Sequence, residues 1–194
     1  MPNNPEIGLA LQKLIEGNKR FALSKQSHPN QNRERRQELV KGQKPFAVIV
    51  GCSDSRVPPE IIFDQGLGDL FVVRVAGNVV DDVALGSVEY AVDHLGTRLV
   101  VVLGHSKCGA VTVTVQGGTP HGHTGSIMEA IKPAIDAAKD LPGDLVDNTI
   151  KANARLVADQ LKYSDPILSE MARQGKISII SAYYNVESGE VHIL

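Results

Sequence analysis

The chain has 194 residues, of which 42% are hydrophobic and 22% charged, and this is the composition of an ordinary globular domain. A net charge of −2 excludes the strongly basic surface of many nucleic-acid-binding proteins, and no apolar run approaches the ~20 residues of a membrane helix. We therefore predict a single domain, residues 1–194, with neither nucleic acid nor membrane as partner. Residues 1–6 lack the basic and apolar segments of a signal peptide, so we expect a cytoplasmic protein.

Two helices are predicted before the first strand. From Pro5 to Leu23 the apolar residues recur near helical spacing, and residues 32–41 form a second, polar segment that is rich in arginine. Because their apolar stripe is narrow, we expect residues 1–42 to form an N-terminal helical arm across a neighbouring subunit. Residues 43–194 are predicted to form an α/β core.

The core shows short, continuous apolar runs, which are typical of strands buried on both faces of a parallel sheet. These runs cover residues 45–51, 69–75, 98–103 and 176–183. A turn at Ser188 and Gly189 leads into residues 190–194, which we expect to add an antiparallel edge strand. The predicted fold class is α/β, with a mainly parallel central β-sheet flanked by helices and an antiparallel C-terminal edge strand.

Helical patterns fill the intervals between these strands. Asp81 or Asp82 is placed to cap the helix after the second strand. Ser126 and Glu129 have the spacing of a capping box, and they open a helix that we expect to be kinked at Pro133. The predicted helices cover residues 58–63, 81–95, 108–115, 126–138, 145–161 and 165–175.

Side chains that bind metals follow two of the predicted strands. Cys52 and Asp54 come directly after the first strand, and His105 and Cys108 come after the third. The carboxyl ends of parallel strands are where α/β sheets place their chemistry, and thiolate, imidazole and carboxylate are ligands of zinc. The pattern predicts a zinc site with three ligands and a fourth position for Asp54 or water. A disulfide between the two cysteines, or packed thiols, is the alternative.

Arg56, two residues after Asp54, favours a catalytic site over a purely structural one. Asp54 either binds the metal and closes the site, or pairs bidentately with Arg56 and leaves the fourth position to water. Because two thiolates donate more electron density than imidazoles, we expect activity to be displaced towards alkaline pH. His121 and His123, in the loop 117–125, suit a second metal site or a proton relay. We favour a flexible loop, since no carboxylate or thiol lies close in sequence.

These motifs resemble those of the β-class carbonic anhydrases. Residues 52–57 are similar to the first metal motif of that family, and residues 104–109 are similar to the second. The segments 66–78 and 89–92 resemble the strand and the helix between the motifs. The resemblance runs from about Leu11 to the C-terminal hairpin, which is nearly the whole chain.

The resemblance implies a carbonate dehydratase, a lyase that reversibly hydrates carbon dioxide to bicarbonate and a proton by means of a zinc-bound hydroxide. One Zn²⁺ per subunit is then held by Cys52, His105 and Cys108. Asp54 and Arg56 form a gating dyad, in which Asp54 is a zinc ligand in the closed state only. The implied partners are carbon dioxide, bicarbonate and other copies of the chain, in a homodimer or a higher even-numbered homo-oligomer.

Four further residues acquire roles from the same resemblance. Gln43 matches a glutamine that hydrogen-bonds the substrate, and Gly109 matches a glycine whose amide faces the active site. Phe71 and Tyr90 match aromatic residues of the substrate pocket, part of which comes from the neighbouring subunit in the family. The alternatives are a loop position for Gln43 and core positions for the two aromatic residues.

One position departs from part of the family. Some bacterial members have a tryptophan of a regulatory bicarbonate pocket where this chain has Ile49, although Arg74 and Tyr90 match the other two pocket residues. The departure favours a constitutively open subclass. Hydrolysis of carbonyl sulfide or carbon disulfide and zinc storage without catalysis remain alternatives. A nucleotide-binding module is disfavoured, since Ala110 and Val111 follow the glycine-rich segment instead of Lys-Ser/Thr.

Overall fold

The computed structural model describes residues 4–194, so the first three residues of the predicted N-terminal arm lie outside the described part. The helices are α1 Pro5–Ala22, α2 Arg33–Glu38, α3 Pro59–Ile62, α4 Asp82–Asp93, α5 Gly109–Val115, α6 Thr124–Ala138, α7 Leu145–Lys162 and α8 Ile167–Arg173. The strands are β1 Ala47–Gly51, β2 Leu70–Arg74, β3 Leu99–His105, β4 Ser178–Tyr184 and β5 Val191–Ile193. No helix within residues 4–194 is both long and apolar enough to cross a membrane.

The strands form one sheet in the order β2-β1-β3-β4-β5. The first four strands of that order are parallel, and β5 joins β4 antiparallel. This arrangement confirms the predicted fold class. Gly51 at the end of β1 lies opposite Arg74 of β2 and Leu103 of β3, so the loops that leave these strands are neighbours.

Alternate residues of the central strands pack on the two faces of the sheet, because successive strand side chains point in opposite directions. Val48 and Val100 face a core cluster formed with α4, α7 and α8. Ile49 and Val101 face a second cluster, which contains α1 and α3. Both faces are therefore covered by helices, as the continuous apolar runs indicate.

Helix α1 packs on the sheet of its own chain. Ile7 and Leu14 are each 2% exposed and belong to the same cluster as Ile49 and Val101. The narrow apolar stripe of α1 thus packs within its own chain, and the arm across a neighbouring subunit stays a prediction.

Two carboxylates attach the segment after α1 to the core. Asp64 Oδ2 accepts hydrogen bonds from Arg20 Nε at 2.6 Å and from the Ser27 backbone N–H at 2.9 Å, while Oδ1 accepts from the His28 N–H at 2.9 Å. Burial raises the pKa of Asp64, but these bonds together outweigh it and lower the pKa to about 2. Asp69 similarly accepts hydrogen bonds from the Asn30 side-chain amide, at 2.9 Å to Oδ1 and 2.8 Å to Oδ2.

The helix starts confirm one predicted cap and correct another. Asp81 Oδ1 accepts from the Ala84 N–H at 2.8 Å, as expected for the cap of α4. Helix α6 begins at Thr124, so the prediction of a capping box at Ser126 and Glu129 was wrong. Thr124 Oγ1 donates to the carbonyl of His121 at 2.7 Å and starts the helix early, and α6 continues through Pro133.

Candidate metal centre

The three predicted metal ligands meet at the carboxyl edge of the sheet. Cys52 directly follows β1, His105 is the last residue of β3, and Cys108 precedes the first residue of α5. Because β1 and β3 are parallel and in register, their ends deliver these side chains to one place, where the ligand atoms all lie within 4.8 Å of one another. In the part of the chain from residue 4 onwards, this is the one such cluster of three or more potential ligands.

The imidazole of His105 is oriented as a metal ligand. Its Nδ1 lies 2.9 Å from the carbonyl oxygen of Ser106, and such a contact requires the proton to be on Nδ1. The lone pair is then on Nε2, which is buried and has no hydrogen-bond partner in residues 4–194. An unpaired buried nitrogen is costly, and a carbonyl that fixes the other ring nitrogen is a common feature of metal-bound histidines. The ring therefore fits a cation in this position.

The two buried sulfurs behave as a coupled pair. A hydrogen bond from the Cys108 thiol is the largest effect that lowers the pKa of Cys52, to about 4, and His105 and backbone N–H groups lower it further against the effect of burial. The hydrogen bond to Cys52, together with burial, raises the pKa of Cys108. Two thiolates and an imidazole are a donor set that zinc prefers, and its positive charge would allow both thiols to ionise. The residues present thus fit a zinc ion.

Asp54 and Arg56 form a bidentate ion pair beside this cluster. Arg56 Nε lies 2.9 Å from Asp54 Oδ1, and Arg56 Nη2 lies 2.7 Å from Oδ2. The hydrogen bond from the Arg56 side chain is the largest cause that lowers the pKa of Asp54, to about 2. Asp54 Oδ2 is also 3.9 Å from His105 Nε2, so the carboxylate lies next to the ligand cluster while it is paired with Arg56.

Two guanidinium groups hold the loop that carries Cys52 and Asp54. Arg74, at the end of β2, donates from Nε to the carbonyl of Cys52 at 2.9 Å and from Nη2 to the carbonyl of Asp54 at 2.6 Å. Arg56 Nη2 donates to the carbonyl of Lys107 at 3.0 Å and so joins the two motifs. The position of Arg74 in the sequence does not predict its contact with this loop. The contact follows from the register of β1 and β2, which places Arg74 opposite Gly51.

Three other predicted site residues are not brought to this cluster within one chain. Gln43 is exposed and precedes β1, whereas Cys52 follows it, and a five-residue strand is roughly 16 Å long. Phe71 lies near the start of β2 and packs against Tyr90, with ring centroids 6.3 Å apart. Tyr90 is 46% exposed. Only Gly109, the first residue of α5, adjoins the ligands directly.

His121 and His123 also lie away from the ligand cluster. Both are exposed in the turn before α6, and His123 stands at the first position outside that helix. Their role in proton transfer stays a prediction.

Gly77 and Asn153 belong to the site but did not stand out in the sequence. The Gly77 N–H donates to Cys52 Sγ at 3.3 Å, and Asn153 Nδ2 donates to the Gly77 carbonyl at 2.8 Å. Gly77 lies just after the second predicted strand, residues 69–75, and the sequence indicated only that the strand ends there. A polar residue at the apolar face of α7 was the available signal for Asn153, since its neighbours Ile150 and Ala154 are core residues.

Comparisons with known proteins agree with this geometry. Residues 47–191 match the sequence profile of the family described as carbonic anhydrase. The chain is 40% identical over 197 residues to a carbonic anhydrase of Mycolicibacterium smegmatis, with 100% of this chain and 95% of that protein covered. It is also 40% identical to carbonic anhydrase 2 of Mycobacterium tuberculosis, with 97% and 93% covered.

A solved structure gives the class within this family. The β-carbonic anhydrase CcaA superposes with a TM-score of 0.75 at 28% identity, and the match covers 94% of each chain. The chain belongs to the β-class carbonic anhydrases. Membership of this family of lyases implies hydration of carbon dioxide, and Cys52, His105 and Cys108 form a cluster of potential metal ligands.

Proposed function

We propose that this chain catalyses the reversible hydration of carbon dioxide to bicarbonate and a proton, with one zinc ion per subunit bound by Cys52, His105 and Cys108. The observation that carries the proposal is the buried lone pair of His105 Nε2, which faces two sulfurs and lies beside the Asp54–Arg56 pair. When bound, zinc acidifies a water molecule and thereby supplies a nucleophile for the carbon atom near neutral pH.

Asp54 orients that nucleophile in the proposed mechanism. Arg56 engages both carboxylate oxygens, so Asp54 would not serve as a ligand beside Cys52, His105 and Cys108. Asp54 Oδ2 lies 3.9 Å from His105 Nε2, and as an ionised acceptor it would accept a hydrogen bond from a water molecule held there. Arg56 stabilises the ionised carboxylate, because the hydrogen bond from its side chain lowers the pKa of Asp54.

The substrate pocket needs a second subunit in this proposal. Gln43 and Phe71 lie towards the opposite edge of their own sheet, so they reach a metal centre only in another copy of the chain. Gln43 then hydrogen-bonds a substrate oxygen, while Phe71 and Tyr90 form the apolar wall and the Gly109 amide faces the substrate. A homodimer is accordingly the smallest active assembly. Its cytoplasmic location stays a prediction.

The open form of the site is the resting form that we propose. Arg74 uses Nε and Nη2 for the carbonyls of Cys52 and Asp54, and Ile49 offers no hydrogen bond where some bacterial relatives have an indole. Both features favour Asp54 paired with Arg56 over Asp54 bound to the metal.

Metal analysis combined with stopped-flow hydration of carbon dioxide across pH tests this function. We expect about one zinc per chain and a rate that rises towards alkaline pH, since two thiolate ligands acidify bound water less than imidazoles do. A protein that binds zinc and hydrates no carbon dioxide at any pH would contradict the proposal. Parallel assays with carbonyl sulfide and carbon disulfide identify the preferred substrate.

A further inference from the structure

We infer that Asn153 is a positioning residue of the metal centre, which acts through Gly77 on the sulfur of Cys52. The inference rests on the proposed metal site. It concerns a side chain on α7 that is distant in sequence from both metal motifs and contacts none of the three ligands in a hydrogen bond.

Cys52 Sγ accepts two backbone hydrogen bonds that differ in origin. The Asp54 N–H, at 3.4 Å, comes from the same loop as the sulfur. The Gly77 N–H, at 3.3 Å, comes from the connection between β2 and α4, which is 25 residues further along the chain. An N–H donor withdraws charge from a thiolate, so the second bond tunes the sulfur only while the position of Gly77 is fixed.

Because glycine has no side chain, the backbone at Gly77 has more conformational freedom than its neighbours in this connection. Gly77 has φ +68° and Asn78 has φ +47°, both in the left-handed region that favours glycine. A side chain at position 77 would meet Ile131 Cδ1 at 2.9 Å and Ala110 Cβ at 3.3 Å. Glycine is therefore required for this turn, and its flexibility must be restrained by something outside the turn.

Asn153 supplies that restraint. Its side chain is 2% exposed, and its Nδ2 donates to the Gly77 carbonyl at 2.8 Å. The bond fixes the orientation of the Gly77 peptide from a helix that is itself anchored, because Ala154 and Val157 pack in the main core cluster and Ile150 packs in the cluster that contains Cys52 and Cys108. The rigid helix thus determines where the N–H points.

The consequence for the metal concerns both the donor strength and the orientation of the sulfur. Without the restraint, the Gly77 N–H moves away from Cys52, so the thiolate becomes a stronger electron donor but is less firmly oriented towards the metal. Changes of this kind in groups that support ligands typically cost roughly 10- to 100-fold in metal affinity or activity. The effect is expected at the metal even though Asn153 lies outside its ligand set.

Cobalt substitution of the full-length protein provides a readout that a purely structural role would not move. We would compare Asn153→Asp and Gly77→Ala with the matched variant Asn18→Asp. Asn18 is also buried and donates its amide to the Gly189 carbonyl at 2.8 Å, but it lies on the other face of the sheet. We expect the thiolate-to-cobalt charge-transfer band to shift to lower energy in the first two variants and to stay unchanged in Asn18→Asp.

Zinc transfer to a chelator gives the second readout. We expect Asn153→Asp and Gly77→Ala to lose zinc roughly 10- to 100-fold more readily than the wild type. Asn153→Ser, which removes the amide without adding charge, carries the same expectation if Asn153→Asp does not fold. A folded Asn153 variant with the wild-type band and wild-type zinc retention overturns the inference. A wild-type protein that takes up neither cobalt nor zinc overturns the proposed metal centre itself, so the two failures are distinguishable.

Discussion

The two edges of the parallel sheet differ in how much of a site a single chain builds there. At the carboxyl edge, Cys52, His105 and Cys108 bring their ligand atoms within 4.8 Å of one another, with the Asp54–Arg56 pair alongside. At the amino edge, Gln43 is exposed, and the whole length of β1 separates it from Cys52 and the metal cluster.

The difference has a simple geometric cause. The metal ligands follow strand ends that are parallel and in register, so pairing of β1 with β3 is enough to bring them together. Gln43 and Phe71 stand before or near the start of their strands, and the length of the strands separates them from the ligands. In our proposal, association of two chains supplies what the fold of one chain cannot.

Loss of a ligand at the complete edge has the largest expected effect. Cys108→Ser replaces a thiolate by a hydroxyl that does not ionise near neutral pH, so we expect zinc content to fall to background and hydration to cease. Metal analysis and stopped-flow assays measure both. His121→Ala, an exposed histidine outside the cluster, is the control and should keep its zinc. Full zinc occupancy in Cys108→Ser would remove Cys108 from the ligand set.

Removal of the dyad should separate metal binding from activity. Arg56→Ala leaves the three ligands intact, but Asp54 loses the partner that holds both of its carboxylate oxygens. We expect normal zinc content and, because Asp54 is no longer held in place, a hydration rate lower by roughly 100-fold or more, as for other preorganised electrostatic groups. Arg36→Ala, at an exposed arginine of α2, is the control. An undiminished rate in Arg56→Ala would refute the role of the dyad.

Gln43 tests whether the incomplete edge serves a second chain. Gln43→Ala should retain zinc and lose about tenfold in activity, the scale of one hydrogen bond to substrate. Co-expression with Cys108→Ser should then restore activity above the sum of the separate variants. In a mixed dimer, the intact metal ligands of one chain meet the intact Gln43 of the other. Activity equal to that sum would argue that Gln43 acts within its own chain or not at all.

The smallest effect on catalysis is expected at Asp64, which bonds Arg20, Ser27 and His28 and is not part of the ligand cluster. The pKa of Asp64 is lowered to about 2, so its stabilising effect is present above the unfolded pKa near 4 and is lost as the pH falls towards 2. Asp64→Asn should cost about 2 kcal/mol at pH 7, the energy of a shift of this size. Urea unfolding at pH 7 and pH 3 measures the difference, which should narrow at pH 3. A constant difference would contradict the assignment, and hydration should be unchanged.

Local features of the fold were predictable because they depend on neighbouring residues. Continuous apolar runs predicted the four parallel strands, and of the two predicted candidates, Asp81 and Asp82, Asp81 caps α4. The predicted start of α6 was wrong by two residues, because the hydroxyl of Thr124 bonds both the N–H and the carbonyl of His121 and the helix begins at that turn. Helix propensity does not distinguish Thr124 from Ser126 as the start of α6, whereas the turn at His121 does.

The site divides in the same way. Spacing and residue type predicted that Cys52, His105 and Cys108 come together and that Asp54 pairs with Arg56, since each motif is contiguous in sequence and lies at the end of a strand. Long-range contacts remained hidden: the hydrogen bonds of Arg74 to the Cys52 and Asp54 carbonyls, and that of Asn153 to Gly77, depend on strand register and helix packing.

The sequence by itself determined the fold class and the residues of the Cys52, His105 and Cys108 cluster, because apolar periodicity and the two contiguous motifs are local properties of the chain. Only the tertiary structure decided how that cluster is supported. Its supporting bonds join residues 20 to 76 positions apart, and such pairs become neighbours only when the strands align and α7 packs on the sheet. The tertiary structure also placed Gln43 at the opposite edge, because a strand separates in space what nine residues separate in sequence.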